Sequence, residues 1–308
     1  MASVSYFHPV PTGGSESRAA TERLEVVMAR LRRLRLDEVG YWSEVKLDII
    51  EDYAKEYSKI LAAQKKPRLH HVYIDAFAGA GVHKRKTTGE EVAGSPLRAV
   101  AIDPPFQEYH LIDLDGSRVN HLQGMFRDNP AVTVHHGDCN QILLEEVFPR
   151  VRYDHYRRGL CLLDPYGLHL NWEVIRRAGE MRSLEIFLNF PIADMNRNVF
   201  WRNPDGVNAA DIERMSAFWG DESWRTVAYQ PEMTLFGPTD VKTDNETVAE
   251  AFRQRLRTVG GFSNVPEPIP MRNTKGAIVY YLFFASQKPV ARNIVSYIFN
   301  KYRNRGAT

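Results

Sequence analysis

Asp75, Asp113, Asp138 and Asp164 each stand at or just past the end of an apolar, β-branched run, and their shared placement is the chemically informative feature of this chain. In an α/β protein with a parallel sheet, ligands bind outside the carboxyl ends of the strands, so acids presented there converge on one site. The first run, His71-Val-Tyr-Ile-Asp-Ala-Phe-Ala-Gly-Ala-Gly81, passes directly into a small-residue turn. Gly79 and Gly81 can take positive φ and bring bare backbone close to a ligand. A dinucleotide loop would need G-x-G-x-x-G and an acid about 20 residues further on to hold a ribose. The third glycine is missing, and the next strand-ending acid is Asp113. The phosphate-binding pattern G-x-x-x-x-G-K-[ST] is also absent. What remains is D-x-F-x-G-x-G, from Asp75 through Phe77 to Gly81, which is either a cradle for another small polar ligand or a tight β-to-α turn with none.

The elements that must position these acids follow from the hydrophobic pattern. Residues 1–20, with Pro9, Pro11, Gly13 and Gly14, read as a flexible leader. Residues 21–66 read as N-terminal helices, over 22–36 and 44–63, the second carrying Val45, Leu47, Ile50, Tyr53 and Tyr57 as an apolar stripe. Residues 67–308 read as one α/β domain with a helical insertion at about 200–262. Strands are expected at 71–77, 109–112, 132–135, 159–163, 184–189 and 277–285, with helices at 116–126, 140–148, 171–180, 209–219, 243–258 and 291–302. The fold class is therefore Rossmann-like: doubly wound, with a mostly parallel sheet and an antiparallel edge strand formed near 265–285.

Composition bounds the function. At 308 residues, with 44% hydrophobic and 25% charged residues, the chain is an ordinary globular protein. No apolar run approaches the roughly 20 residues of a membrane helix and no signal peptide is recognisable, so a cytoplasmic protein without a membrane partner is expected. Cys139 and Cys161 are too few for a disulfide framework and read as buried structural thiols. A net charge of +2 makes no strong electrostatic case for nucleic acid. The basic clusters at 30–35, 84–86, 150–158 and 301–305 would count as phosphate contacts only if the fold brought them to one side.

The glycine turn resembles the first motif of class I S-adenosylmethionine-dependent methyltransferases. That resemblance implies a cofactor site of Asp75, Phe77, Gly79, Gly81, Asp113, Leu114, Asp138 and Cys139. Asp113 would accept the ribose hydroxyls and Asp138 the adenine amino group, while Asp115 and Asp138 are also suited to cap the helices that follow them. Leu162-Leu-Asp-Pro-Tyr-Gly167 stands where base-amino methyltransferases carry an acid or Asn followed by Pro-Pro-aromatic. Asp164, Pro165 and Tyr166 are its catalytic candidates, although the second proline is absent. Asp103-Pro-Pro-Phe106 matches the bare pattern better but enters a strand at its amino end, away from the cofactor face. After the fifth strand, Asn189, Asp194, Asn196 and Arg197 are substrate-binding candidates in a loop whose default role is solvation.

The wider pattern resembles the three-Cys-motif partner family, TcmP. It is carried by Lys46-Leu-Asp-Ile-Ile50, Tyr73 to Gly81, Gly94-Ser-Pro-Leu97, Leu163 to Gly167, Asn189-Phe-Pro191 with Asn196-Arg197, and Tyr281-Leu-Phe-Phe-Ala-Ser286. The resemblance spans about residues 40–302 and implies a methyltransferase-like fold and a radical S-adenosylmethionine protein with three cysteines as partner. Three functions are open: a methyltransferase acting on a nucleobase or nucleotide, a non-catalytic or regulatory partner of that radical protein, and a metal-dependent nuclease. The last lacks a His ligand set at fixed spacing, so no metal site is expected: His70-His71 and His135-His136 are neighbours whose rings point to opposite sides of their strands.

Overall fold

The apolar runs Val72–Ile74, Leu160–Leu163 and Ile186–Leu188 are buried on both faces, and they form the centre of a seven-stranded sheet. The computed structural model describes residues 36–234, 237–273 and 275–303, so the expected leader and the helix at 22–36 lie outside the described residues. Residues Asp37–Thr308 make one structural unit.

In chain order the elements are β1 (Glu38–Val39), α1 (Tyr41–Ala62), β2 (His70–Asp75), β3 (Val82–Arg85), β4 (Glu91–Ala93), α2 (Ser95–Val100), β5 (Glu108–Asp113), α3 (Gly116–Met125), β6 (Val132–His136) and α4 (Cys139–Ile142). They continue with β7 (Arg157–Leu163), α5 (Trp172–Met181), β8 (Leu184–Phe190), α6 (Ile192–Asn198), α7 (Ala209–Trp219), α8 (Trp224–Ala228), β9 (Tyr229–Thr234), β10 (Gly237–Lys242), α9 (Asn245–Thr258), β11 (Ile269–Arg272), β12 (Ile278–Ala285) and α10 (Pro289–Arg303).

The sheet order is β11-β12-β8-β7-β2-β5-β6. Strands β6, β5, β2, β7 and β8 pair in parallel, with Ile74 opposite both His110 and Cys161. β12 runs antiparallel to both β8 and β11. The reversed pair thus closes one edge as expected. Its reversed member is β12, the apolar run at 278–285, which lies one place in from the margin; the outermost strand is proline-bearing β11. Pro270 cannot donate to a ladder, which suits an edge strand.

The two faces bury different partners. Val72, Ile74, Cys161, Leu163, Ile186 and Leu188 pack with α5 and with the helices of the insertion, including Phe218, Trp219, Trp224 and Phe252. Tyr73, Leu160, Leu162, Phe187 and Phe284 pack under α1 and α10 through Ile49, Ile50, Tyr53, Val295 and Phe299. Trp219 and Trp224 are core residues, while Trp201 is 43% exposed.

Three features depart from the sequence expectations. The helix expected over 140–148 is α4 followed by a π turn over Leu143–Val147 and a 3-10 turn over Phe148–Arg150, because Pro149 cannot donate to a continuing α-helix. The insertion contains a hairpin, β9 with β10, where Pro231 and Pro238 obscure the strand pattern. A small three-stranded sheet, β1-β3-β4, joins residues 38–39 to 82–93 beside the glycine turn. No described helix is long and apolar enough to cross a membrane.

Candidate functional site

β2 delivers Asp75 to the carboxyl edge of the sheet, where the glycine turn is tied across to both neighbours. Ala76 N–H donates to Leu162 O at 3.0 Å and Ala78 N–H to Ile112 O at 2.9 Å. Asp75 has no exposed surface. Its Oδ1 accepts the Phe77 N–H at 3.3 Å, and its Oδ2 has no hydrogen-bond partner. Burial first, and then the nearby Asp164 charge, push its carboxyl up to about 7 against the opposing effects of the Ser95 hydroxyl, the Phe77 amide and Lys46.

The two glycines serve different ends. Gly79 sits at φ +62°, and a Cβ built on it would find nothing within 4 Å, so its open side faces a cavity. Its N–H donates to Asp113 Oδ2 at 2.9 Å. Gly81, at φ +78°, packs on α3, where a Cβ would stand 3.1 Å from Leu122.

Asp113 is buried, and its Oδ1 accepts the Asp115 N–H at 2.8 Å. Two amide bonds leave a carboxylate with further lone pairs for ligand hydroxyls. Asp115 then caps α3 by accepting from Ser117 N–H at 2.7 Å and Arg118 N–H at 3.2 Å. Asp115→Ala should therefore cost about 1 kcal/mol, measured by urea unfolding. A cost indistinguishable from zero would show that α3 is held by packing alone.

The β6 loop is joined to Asp113 by the Gly137 N–H, which donates to Asp113 O at 3.1 Å. Asp138 caps α4 and holds Asn140, whose side chain reaches His169 O and the Asn171 N–H. Cys139 is buried, and that burial pushes its thiol up to about 12. Leu114 is 73% exposed beside this loop.

Asp164, Pro165, Tyr166 and Asn189 line a cavity of about 220 Å³ together with Phe77 and Gly79. α1 closes it with Ser43 and Lys46, and residues Asp37–Val39 with His83 form a further wall. Lys46 donates to Asp164 Oδ2, and its Nζ lies 5.3 Å from the Tyr280 ring centroid. Burial opposes the lysine charge, but Asp164 and the polar groups around it outweigh burial and hold the lysine above its usual range. The same ammonium, after burial, pushes His83 down. The Asn189 Oδ1 is a buried acceptor with no partner.

A clasp spans the mouth. Tyr166 donates to Asp37 Oδ2 at 2.7 Å, and Arg118 donates to Asp37 Oδ1 at 2.9 Å and to the Tyr166 hydroxyl at 3.3 Å.

The remaining substrate candidates lie away from this lining. Asp194 sits against Gly167, behind the Asp164-Pro-Tyr turn, and accepts from Asn198 at 3.0 Å. Asn196 donates to Asn245 at the start of α9. Arg197 is exposed, and its carbonyl accepts from the Trp201 indole at 2.7 Å. Asp103-Pro-Pro-Phe106 precedes β5 at its amino end, as expected.

Sequence reasoning gave no role in the site to Asp37, Lys46 or Arg118, although Lys46 opens one of the segments that carry the family resemblance. Lys46 carried a signal, because it falls in helical register with Ile50, Tyr53 and Tyr57 on the buried stripe of α1. A lysine there requires an anionic partner.

No protein-family model matches the chain, and no curated protein matches it in sequence. Among solved structures, protein LPL1258 from Legionella pneumophila is similar at a TM-score of 0.50 and 13% identity, over 84% of this chain and 93% of the other. An S-adenosylmethionine-dependent methyltransferase from Clostridium acetobutylicum aligns at a TM-score of 0.37 and 10% identity, over 87% and 98% of the two chains. The first likeness agrees with the mostly parallel, Rossmann-like architecture described above and bears on the fold alone.

Proposed function

We propose that the cavity at the carboxyl edge of the sheet binds S-adenosylmethionine and that the protein transfers its methyl group to an amine acceptor on a nucleobase or nucleotide. The observation that carries this reading is the convergence of three strand ends on one cleft: Gly79 after β2, Asp164, Pro165 and Tyr166 after β7, and Asn189 in β8, with Asp113 bonded to the Gly79 amide. The residues fit the cofactor. Gly79 leaves open space where a side chain would stand, Asp113 retains lone pairs for a ribose, and the lining carboxylates Asp37, Glu38 and Asp164 exceed by one the cations Lys46 and Arg118 that pair with two of them, which suits a cation.

The bound cofactor would supply a methyl group already activated on a sulfonium, so positioning can carry most of the acceleration. Asp164 and Asn189 Oδ1 present acceptor oxygens for the two hydrogens of an amine, and Lys46 holds the Asp164 side chain in place through their ion pair. Tyr166 offers a ring face for an aromatic acceptor. Ser43, Lys46 and the clasp of Asp37, Tyr166 and Arg118 limit water entry.

The motif order from Lys46 to Ser286 supports kinship with the three-Cys-motif partner family, with a radical S-adenosylmethionine protein as partner. Its non-catalytic version has an observation in its favour, namely that Asp164 is already engaged by Lys46.

Calorimetric titration with S-adenosylmethionine and S-adenosylhomocysteine tests the reading. Wild type should bind both, and Asp113→Asn should weaken binding about 10- to 100-fold, the worth of hydrogen bonds to a charged group. A folded wild type that binds neither would sink the methyltransferase reading. Tight binding with no labelled methyl reaching any nucleic acid, nucleotide or protein acceptor would favour the non-catalytic partner.

A further inference from the structure

The basic cluster at 150–158 gains neighbours that the linear sequence separates. Strand β7 begins beside β2, with His70 opposite Arg157 and His71 opposite Arg158, and the His70 N–H donates to Tyr156 O at 3.0 Å. This places Arg68, just ahead of β2, next to the 153–158 turn. The Gly159 N–H donates to Ser183 O at 2.9 Å, which draws in exposed Arg182. β12 runs the opposite way, so its end brings Lys288 to the same edge, with Nζ 5.7 Å from the Tyr153 ring centroid. The Arg158 guanidinium lies 3.6 Å from that centroid.

The surface is positive because its carboxylates are spent. Glu108 binds Arg157 and accepts from His110 at 2.7 Å, and Asp154 binds Arg152. Arg68, Arg158, Arg182 and Lys288 make no ion pair among the described residues. Lys288 and Arg158 together lower the Tyr153 phenol below its usual range, as a local positive field must. In a chain of net charge +2, this is segregation of charge rather than general basicity.

We propose that this amino-end surface binds single-stranded nucleic acid, with phosphates held by Arg68, Arg158, Arg182 and Lys288 and unpaired bases stacked on Tyr153 and Tyr156. The tyrosines decide the class of partner. They are 44% and 54% exposed and stand among the cations, an arrangement that matches a strand whose π-faces alternate with phosphates. An acidic peptide would satisfy the charges and make no use of the exposed Tyr156 ring or of the part of Tyr153 that Arg158 does not cover. The surface lies across the sheet from the cavity, about 20 Å away for strands of this length, so the assignment does not depend on the methyl-transfer reading.

Fluorescence anisotropy with labelled oligo(U) and oligo(dT) tests it, without cofactor and over a range of salt. About four phosphate contacts should give a slope of log K against log salt near −3 for a single strand. The variant Arg158→Ala/Arg182→Ala/Lys288→Ala should bind at least tenfold more weakly, with the slope reduced by about 2. Tyr153→Ser/Tyr156→Ser should weaken binding at least about 30-fold with the slope unchanged. Both variants should retain the wild-type melting temperature and cofactor affinity. If the triple variant does not fold, Lys288→Glu at its exposed site carries the same test. Unchanged affinity in a folded charge variant would overturn the proposal. So would equal affinity for a perfect duplex, or wild-type binding to phosphatidylserine vesicles but not to oligonucleotide.

Discussion

Replacing Asp164 with alanine is expected to destabilise the protein by about 3 kcal/mol and to reduce the proposed methyl transfer by roughly 10²- to 10⁴-fold. The stability loss comes from Lys46, not from the aspartate. The Lys46 side chain is only 10% exposed, and its charge is tolerated because the carboxylate lies against it. Remove the carboxylate and burial, the largest influence on the ammonium, loses its main opponent, so the lysine pKa is driven down from its raised value. The sign follows from linkage. A lysine held above its unfolded pKa contributes stability that is complete at neutral pH and lost only as pH rises through the folded value, so the alanine variant forfeits it throughout the physiological range. Lys46→Met should cost less, because Asp164 is 26% exposed and can be hydrated from the cavity. Lys46→Met/Asp164→Leu should recover most of the Asp164→Ala loss, since a buried pair replaced by apolar groups is often close to neutral. Urea unfolding of wild type, Lys46→Met, Asp164→Leu and Lys46→Met/Asp164→Leu forms a double-mutant cycle. Coupling below about 0.5 kcal/mol would mean that the pair is solvated and would remove the case for Lys46 as the group that fixes Asp164.

The sheet was legible in the sequence because its strands are continuous apolar runs closed by turn residues, and the ends of β2, β5, β7 and β8 fall within two residues of expectation. Asp115 and Asp138 were legible as caps for the same reason: a short polar side chain before a helical run satisfies the free amides. The hairpin of β9 and β10 was not, because prolines 231 and 238 fall inside its strands, and a proline within a run argues against a strand. Within the site, motif spacing located the residues that follow strands. It was silent on those that arrive from elsewhere. Asp37 reaches Tyr166 across 129 positions, and Lys46 reaches Asp164 across 118. Such pairs exist only once α1 and β1 are docked. Lys46 left a trace as a charge in an apolar stripe, whereas Arg118 on exposed α3 and Asp37 before a two-residue strand left none. Asn196 and Arg197 show the converse: the segment read as a polar loop at the right edge of the sheet is helix α6, which turns the Asn196 side chain toward the insertion and leaves Arg197 exposed.

Asp75→Asn should stabilise the protein at about pH 8 by up to about 4 kcal/mol and flatten its pH dependence between about pH 4 and 7. The carboxyl stands near 7 in the folded chain against an ordinary value of 3.8, because it is fully buried, faces the Asp164 charge and leaves Oδ2 without a partner. Between those two values the folded state holds a proton that the unfolded state has released. Stability therefore falls as pH rises across that interval, by about 1.4 kcal/mol per unit at most, and levels off above it. This is opposite in sign to an aspartate in a salt bridge. Asparagine keeps an acceptor for the Phe77 amide and has no proton to lose, so the two proteins should be equally stable near pH 4 and diverge as pH rises. The measurement is the difference between wild-type and Asp75→Asn unfolding free energies at each pH, which cancels other titrating groups such as Glu185, also raised by burial. Parallel curves would refute the assignment. The strain has a functional sense at this position. Asp75 opens the turn whose Gly79 amide meets Asp113, so a cation in the adjoining cavity would favour the ionised form and recover part of the cost. Affinity for a sulfonium donor should accordingly rise in wild type between about pH 6 and 8, and that rise should be lost in Asp75→Asn.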